Sequence, residues 1–131
     1  MNKVLFSSMS VHWPTPNEVY EDLDEEFGFD FDPCPLGSHF DGLRVDWGKS
    51  NFVNPPYGRK VGEWLAKGCQ ESEQGKRVVF LLPARTDTRW FHDYCMSAHE
   101  IRFIKGRLKF GGSAVNAPFP SMVVIFDKKC A

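Results

Sequence analysis

No two cysteines stand close together in this 131-residue chain: Cys34, Cys69, Cys95 and Cys130 are scattered, with no CxxC pair. That spacing argues against a zinc knuckle and gives no sign of a disulfide framework. The four histidines, at 12, 39, 92 and 99, form no HxxxH pair either, and no metal is expected. No apolar run is long enough to span a bilayer, and no signal-peptide or lipidation pattern is visible, so no membrane partner is expected and the expected location is the cytoplasm. Positive charge is missing from residues 17–32, which hold eight acidic side chains (Glu18, Glu21, Asp22, Asp24, Glu25, Glu26, Asp30, Asp32) and no Lys or Arg. Residues 85–109 reverse this, with six basic residues against three acidic ones. The net charge of −1 hides that asymmetry. A basic second half fits nucleic-acid contact on one face, and fits a solvated mixed-charge surface equally well.

What remains is an ordinary composition, 42% hydrophobic and 25% charged, of a length that makes one domain with a single core. Residues 1–12 are expected to be a flexible N-terminus and 13–131 the domain. Trp13-Pro14-Thr15-Pro16 is a stiff lead-in in which Thr15 is an N-cap and Pro16 the first helical residue. Val19, Tyr20, Leu23 and Phe27 then recur at helical spacing, which predicts a helix over 16–26 with an acidic outer face. Phe29-Asp30-Phe31-Asp32 alternates as a short strand stopped by Pro33-Cys34-Pro35. A second short strand covers 51–53, a helix 60–73, and an apolar strand buried on both faces 77–82. Asp87 is expected to cap a helix carrying Trp90, Phe91 and Tyr94. Two later strands, 101–104 and 121–126, complete an α/β fold with a largely parallel sheet. Ligands in such sheets sit beyond the strand carboxyl ends, where Asp32-Pro33-Cys34, Asn54-Pro55-Pro56-Tyr57 and Pro83-Ala84-Arg85-Thr86 all fall.

Asn54-Pro55-Pro56-Tyr57, followed by Gly58, is the most informative of these turns. The Asn54 side-chain oxygen and a Pro55 carbonyl can both accept hydrogen bonds from one NH2 group. Proline has no N–H to compete for those acceptors. Tyr57 adds a flat face for stacking. Together they can grip a planar, amine-bearing base and equip the chain to methylate an exocyclic amino group. Taken alone, the same four residues also read as a plain Pro-Pro turn or a polyproline-type ligand segment.

With those residues placed, the chain resembles the phage and prophage family of DNA N6-adenine methyltransferases over residues 13–126. The resemblance rests on Trp13-Pro14-Thr15-Pro16, Phe31-Asp32-Pro33-Cys34, Gly42-Leu43 with Asp46-Trp47, and Asn54-Pro55-Pro56-Tyr57-Gly58. It continues through the more specific Leu81-Leu82-Pro83-Ala84-Arg85-Thr86-Asp87-Thr88-Arg89-Trp90, then Gly106-Arg107-Leu108-Lys109-Phe110 and Ala117-Pro118-Phe119-Pro120-Ser121. It implies a Rossmann-like, S-adenosylmethionine-dependent fold with a reduced, mostly parallel sheet and a C-terminal antiparallel hairpin. It implies that Thr15 and Pro16 meet the methionine end of the cofactor, and that Asp32, Pro33 and Cys34 line its sulfonium side. Asn54, Pro55, Pro56 and Tyr57 become the catalytic turn. Arg85, Arg89, Arg107 and Lys109 become candidates for phosphate contact, with Phe110 or Phe119 closing on a base flipped out of double-stranded DNA.

The chain departs from the wider class in one respect. No glycine-rich loop follows the first strand, and Asn54 lies only 22 residues beyond Asp32. The strand whose carboxylate ordinarily holds the cofactor ribose has little room, leaving Asp46 or Asp41 for that role and Trp47 as either an adenine cover or a core residue. Protein-glutamine methylation and cytosine-N4 methylation share the NPPY chemistry, and a non-catalytic DNA-binding relic is the reading from another class. A homodimer is compatible with so small a body gripping a duplex.

Overall fold

Residues 78–82 carry five fully buried apolar side chains in a row, and they form the middle of the longest pairing in the molecule. The computed structural model describes residues 12–110 and 116–127. Its four strands are β1 (Ser50–Val53), β2 (Arg77–Pro83), β3 (Glu100–Phe103) and β4 (Ser121–Asp127). Alternation along β2 sends Val78, Phe80 and Leu82 into one apolar layer and Val79 and Leu81 into the other. A strand covered on both faces needs no polar side, which explains the unbroken run. Each such side chain contributes roughly 1.5–3 kcal/mol by leaving water.

Helices supply the covering. On the first face α2 (Val61–Glu73) lays Val61, Trp64 and Leu65 onto the sheet, and the short α3 (Arg89–Tyr94) adds Phe91. On the second, α1 (Asn17–Phe27) contributes Leu23, and the segment after β3 contributes Phe110, Ala117 and Phe119. The acidic residues of α1 face outward, and Gly28 ends the helix in the left-handed region (φ 59°), its N–H on the Asp24 carbonyl.

The sheet order is β1-β2-β4-β3. This corrects the expectation of a mostly parallel sheet: β1 pairs β2 parallel, but β2·β4 and β4·β3 are both antiparallel. The cause is the position of β4. It is the reversed strand, and lying between β2 and β3 it turns two of the three pairings antiparallel. The expected C-terminal antiparallel hairpin is present as β3 and β4.

The first predicted strand survives only as a parallel bridge from Phe31 to Asn51. The Asp30 N–H donates to the Ser50 carbonyl at 2.8 Å, and the Asp30 carboxylate accepts from the Ser50 N–H at 3.1 Å. The loop beyond is locked at Gly42, where a Cβ would collide with the Pro33 carbonyl. Three other expectations shift. Pro16, not Thr15, is the N-cap of α1, with no side-chain capping bond. Thr88, not Asp87, caps α3, its hydroxyl accepting from the Phe91 N–H at 3.2 Å. Trp47 is core, stacked on Trp64 at 6.3 Å with its indole N–H on the Gly42 carbonyl. The segment 1–12, expected to be flexible, lies, except for His12, outside the described residues.

Candidate active site

The chain leaves β1 at Val53 and enters the turn Asn54-Pro55-Pro56. The turn forms one wall of a cleft of about 970 Å³. The opposing walls are the lead-in with Thr15 and Pro16, helix residue Tyr20, and the loop with Asp32, Cys34 and Pro35. Three separate stretches of chain therefore meet at one cavity. Its size suits a medium-sized organic ligand.

The Asn54 side chain bridges two of those stretches. Its amide nitrogen donates to the Trp13 carbonyl at 2.5 Å and to the Thr15 hydroxyl at 2.9 Å. A carbonyl can only accept, so the nitrogen must be the atom turned toward Trp13. The oxygen is left over: Asn54 Oδ1 is buried and has no hydrogen-bond partner among the described residues. A buried acceptor without a donor costs about 1–3 kcal/mol, and such an atom demands an explanation. An amine arriving through the cleft provides one.

Asp32 lies half-buried across the cavity. One oxygen accepts from the Cys34 N–H at 2.8 Å, closing an Asx turn over Pro33. Burial pushes its carboxyl above the ordinary range, only partly offset by that N–H. No cation pairs with it among the described residues. Burial, with Asp32 nearby, pushes the Cys34 thiol up to about 11. Cys34 is thus a neutral wall and not a nucleophile. The Tyr20 hydroxyl is raised as well, by burial first and then by Asp24 and Asp32.

Two expected site residues turn inward. Tyr57 is 3% exposed. Its hydroxyl donates to the Leu81 carbonyl at 3.1 Å, and Phe110 and Phe119 meet its ring in T-shaped contacts at 6.3 and 5.6 Å. The expected stacking face is therefore filled by the core. Burial raises the Tyr57 hydroxyl pKa far above its usual value, so the phenol stays protonated as a donor. Phe110 is equally buried. Asp46 is exposed and lines no part of the cleft.

The basic candidates are all exposed. Arg85 lies over the Phe119 ring at 5.7 Å, and Arg107 donates to the Ala117 carbonyl at 3.4 Å. Both thus flank the aromatic cluster beneath the Asn54 turn. No described contact joins Arg89 or Lys109 to them. Arg102, by contrast, is engaged by Glu26 and Glu100.

Sequence reasoning passed over Trp13, Tyr20 and Phe52, which also line the cleft. The Trp13 contribution is a backbone carbonyl, which no residue type reveals. Among the described residues, no group of three or more potential metal ligands assembles, and no helix is long and apolar enough to cross a membrane.

Comparison with known proteins identifies the family. A model of the family described as DNA N-6-adenine-methyltransferase (Dam) covers residues 5–129. A DNA N-6-adenine-methyltransferase of Haemophilus phage HP1 is 29% identical, the match covering 89% of this chain and 79% of that protein. Another, of Escherichia phage T1, is 30% identical over 73% of this chain, and the chain spans only 45% of its length. No solved structure matches. An acceptor-bearing Asn-Pro-Pro turn, a facing Asp-Pro-Cys turn and a family match over nearly every residue lead to one assignment: this chain belongs to the DNA N-6-adenine-methyltransferase (Dam) family.

Proposed function

We propose that this chain transfers a methyl group from S-adenosylmethionine to the N6 amine of an adenine flipped out of double-stranded DNA. The observation that carries this reading is the buried, unpartnered Oδ1 of Asn54 at the wall of a cleft. An exocyclic amine is a poor nucleophile because its lone pair is delocalised into the ring. A hydrogen bond accepted by Asn54 Oδ1 favours a pyramidal nitrogen and stabilises the positive charge that grows there in the transition state. No general base is needed before attack, since the quaternised nitrogen sheds its proton readily. The family relation and the DNA named for both phage relatives support adenine as the target.

The donor set fits the cofactor. S-adenosylmethionine, when bound, supplies an electrophilic methyl on a sulfonium centre. Asp32 offers a half-buried carboxylate without a counter-charge among the described residues, suited to a cationic ligand, while Thr15, Pro16 and Cys34 shape the wall around it and Pro33 is buried behind the turn. The fold reads as a reduced Rossmann-like one in which β1, β2 and β3 share a direction and β4 alone runs against them. Tyr57 supports the Pro-Pro turn from beneath through the Leu81 carbonyl. Arg85, Arg89, Arg107 and Lys109 are exposed for phosphate contact.

The test is transfer of labelled methyl to unmethylated DNA, with the nucleosides identified by mass spectrometry. N6-methyladenine is expected from the wild type. Asn54→Ala should lower kcat by about 10²–10³-fold, the scale for losing one oriented electrostatic contact, with DNA affinity within a few-fold. Methyl on cytosine or on a peptide instead would move the substrate assignment, and equal loss of turnover and DNA affinity would remove Asn54 from the chemistry.

A further inference from the structure

We infer that Thr15 is a positioning residue for the Asn54 amide, an inference that rests on Asn54 being the acceptor for the target amine. A side-chain amide has two orientations of nearly equal shape, and a broad torsional well about its last bond. Only one orientation presents an oxygen to an incoming NH2 group; the other presents a second donor. Asn54 has two anchors, the Trp13 carbonyl and the Thr15 hydroxyl, and both take hydrogens from the same nitrogen. Together they occupy both donors of Nδ2. One anchor alone would leave the amide plane able to rock; two hold it, with Oδ1 facing away from them and unpartnered.

The Thr15 hydroxyl is available for this because it does not cap α1, whose N-cap is Pro16 with no side-chain bond. Thr15 also lines the cleft. The same residue therefore touches the proposed cofactor space and sets the group that receives the amine, so the two halves of the site are mechanically joined through one hydroxyl. A flipped amide would place Oδ1 against the Trp13 carbonyl, two acceptors in contact, so the carbonyl selects the orientation and Thr15 fixes the plane.

The test compares Thr15→Val, which keeps the shape and loses the acceptor, with Thr15→Ser, which keeps the acceptor. Thr15→Val is expected to lower kcat about tenfold with KM for DNA within twofold, and Thr15→Ser to restore most of the loss. In an Asn54→Ala background Thr15→Val should have no further effect, whereas a packing role would persist there. Solution NMR on the protein without ligands gives a readout separate from turnover. The Asn54 side-chain NH2 hydrogens should exchange slowly in wild type and Thr15→Ser and faster in Thr15→Val. Unchanged kcat and unchanged exchange in Thr15→Val would overturn the inference. A wild type that methylates no nucleic acid would instead sink the proposed function, and the exchange measurement would still decide whether Thr15 holds the amide.

Discussion

Burial lifts the Asp32 carboxyl above its ordinary range, with no cation among the described residues to offset the desolvation. Its folded-state pKa therefore exceeds its unfolded value, and the folded protein holds that proton more tightly. The stability this lends is whole below the ordinary carboxylate pKa and is lost as pH rises through the raised one. Asp32→Asn should then raise the urea midpoint at pH 7, with the gain vanishing by about pH 3, where both side chains are neutral. The same substitution should weaken S-adenosylmethionine binding about tenfold or more by calorimetry, since a charge-assisted contact is worth roughly 1.5–3 kcal/mol. A variant that is no more stable at pH 7 would mean that the carboxylate is better solvated than its place in the cleft suggests. Asp32 and Asn54 were legible in the sequence because a short polar side chain before proline, at the end of an apolar stretch, must sit in a turn at a sheet rim. The direction of Tyr57 was not. It is decided by Phe110 and Phe119, more than fifty residues later in the chain, which meet its ring and leave it no open face.

The close approach of α2 to β2 depends on Gly68. A Cβ there would stand 2.5 Å from the Phe80 ring, whose side chain is fully buried and cannot retreat. Helix propensity alone favours Gly68→Ala by about 1 kcal/mol, but overpacking of this kind costs about 1–3 kcal/mol. The contact is short enough for the second effect to win, so chemical denaturation should show a net loss. At the start of α3, Thr88→Ala should cost about 1 kcal/mol as a lost N-cap, while Asp87→Ala should be close to neutral in the same assay. The reverse ranking would restore Asp87 as the cap. Helices read from spacing fell within a residue of their observed ends, because Val61, Trp64 and Leu65 recur on one face regardless of what they meet. Caps were read less well. Thr15, Asp87 and Thr88 are all capable N-caps, and backbone geometry rather than residue type chooses among them. The strand predicted over 29–32 shrank to a bridge held by two main-chain bonds, Asp30 N–H to the Ser50 carbonyl and Phe52 N–H to the Phe31 carbonyl, while the Asp30 carboxylate takes the Ser50 N–H.

Across the whole molecule the exposed cations set the response to salt. Binding to duplex DNA should weaken linearly in log K against log salt, with a slope of about −0.9 for each phosphate neutralised. Replacing Arg89 and Lys109 with alanine should flatten that slope by about 1–2 in a fluorescence-anisotropy titration. An unchanged slope would remove both from the interface. The α/β class was readable from alternating helix and strand patterns, and the order of strands was not, since no local signal reports that β4 enters between β2 and β3. That placement has a consequence for how the chain is made. On a ribosome β1, β2 and β3 all emerge before β4, which lies between β2 and β3. Until residues 121–127 arrive, β3 has no partner strand and β2 has one open edge. The nascent chain thus carries the apolar edge of β2 unpaired, and the sheet closes from its centre only after synthesis has passed β4.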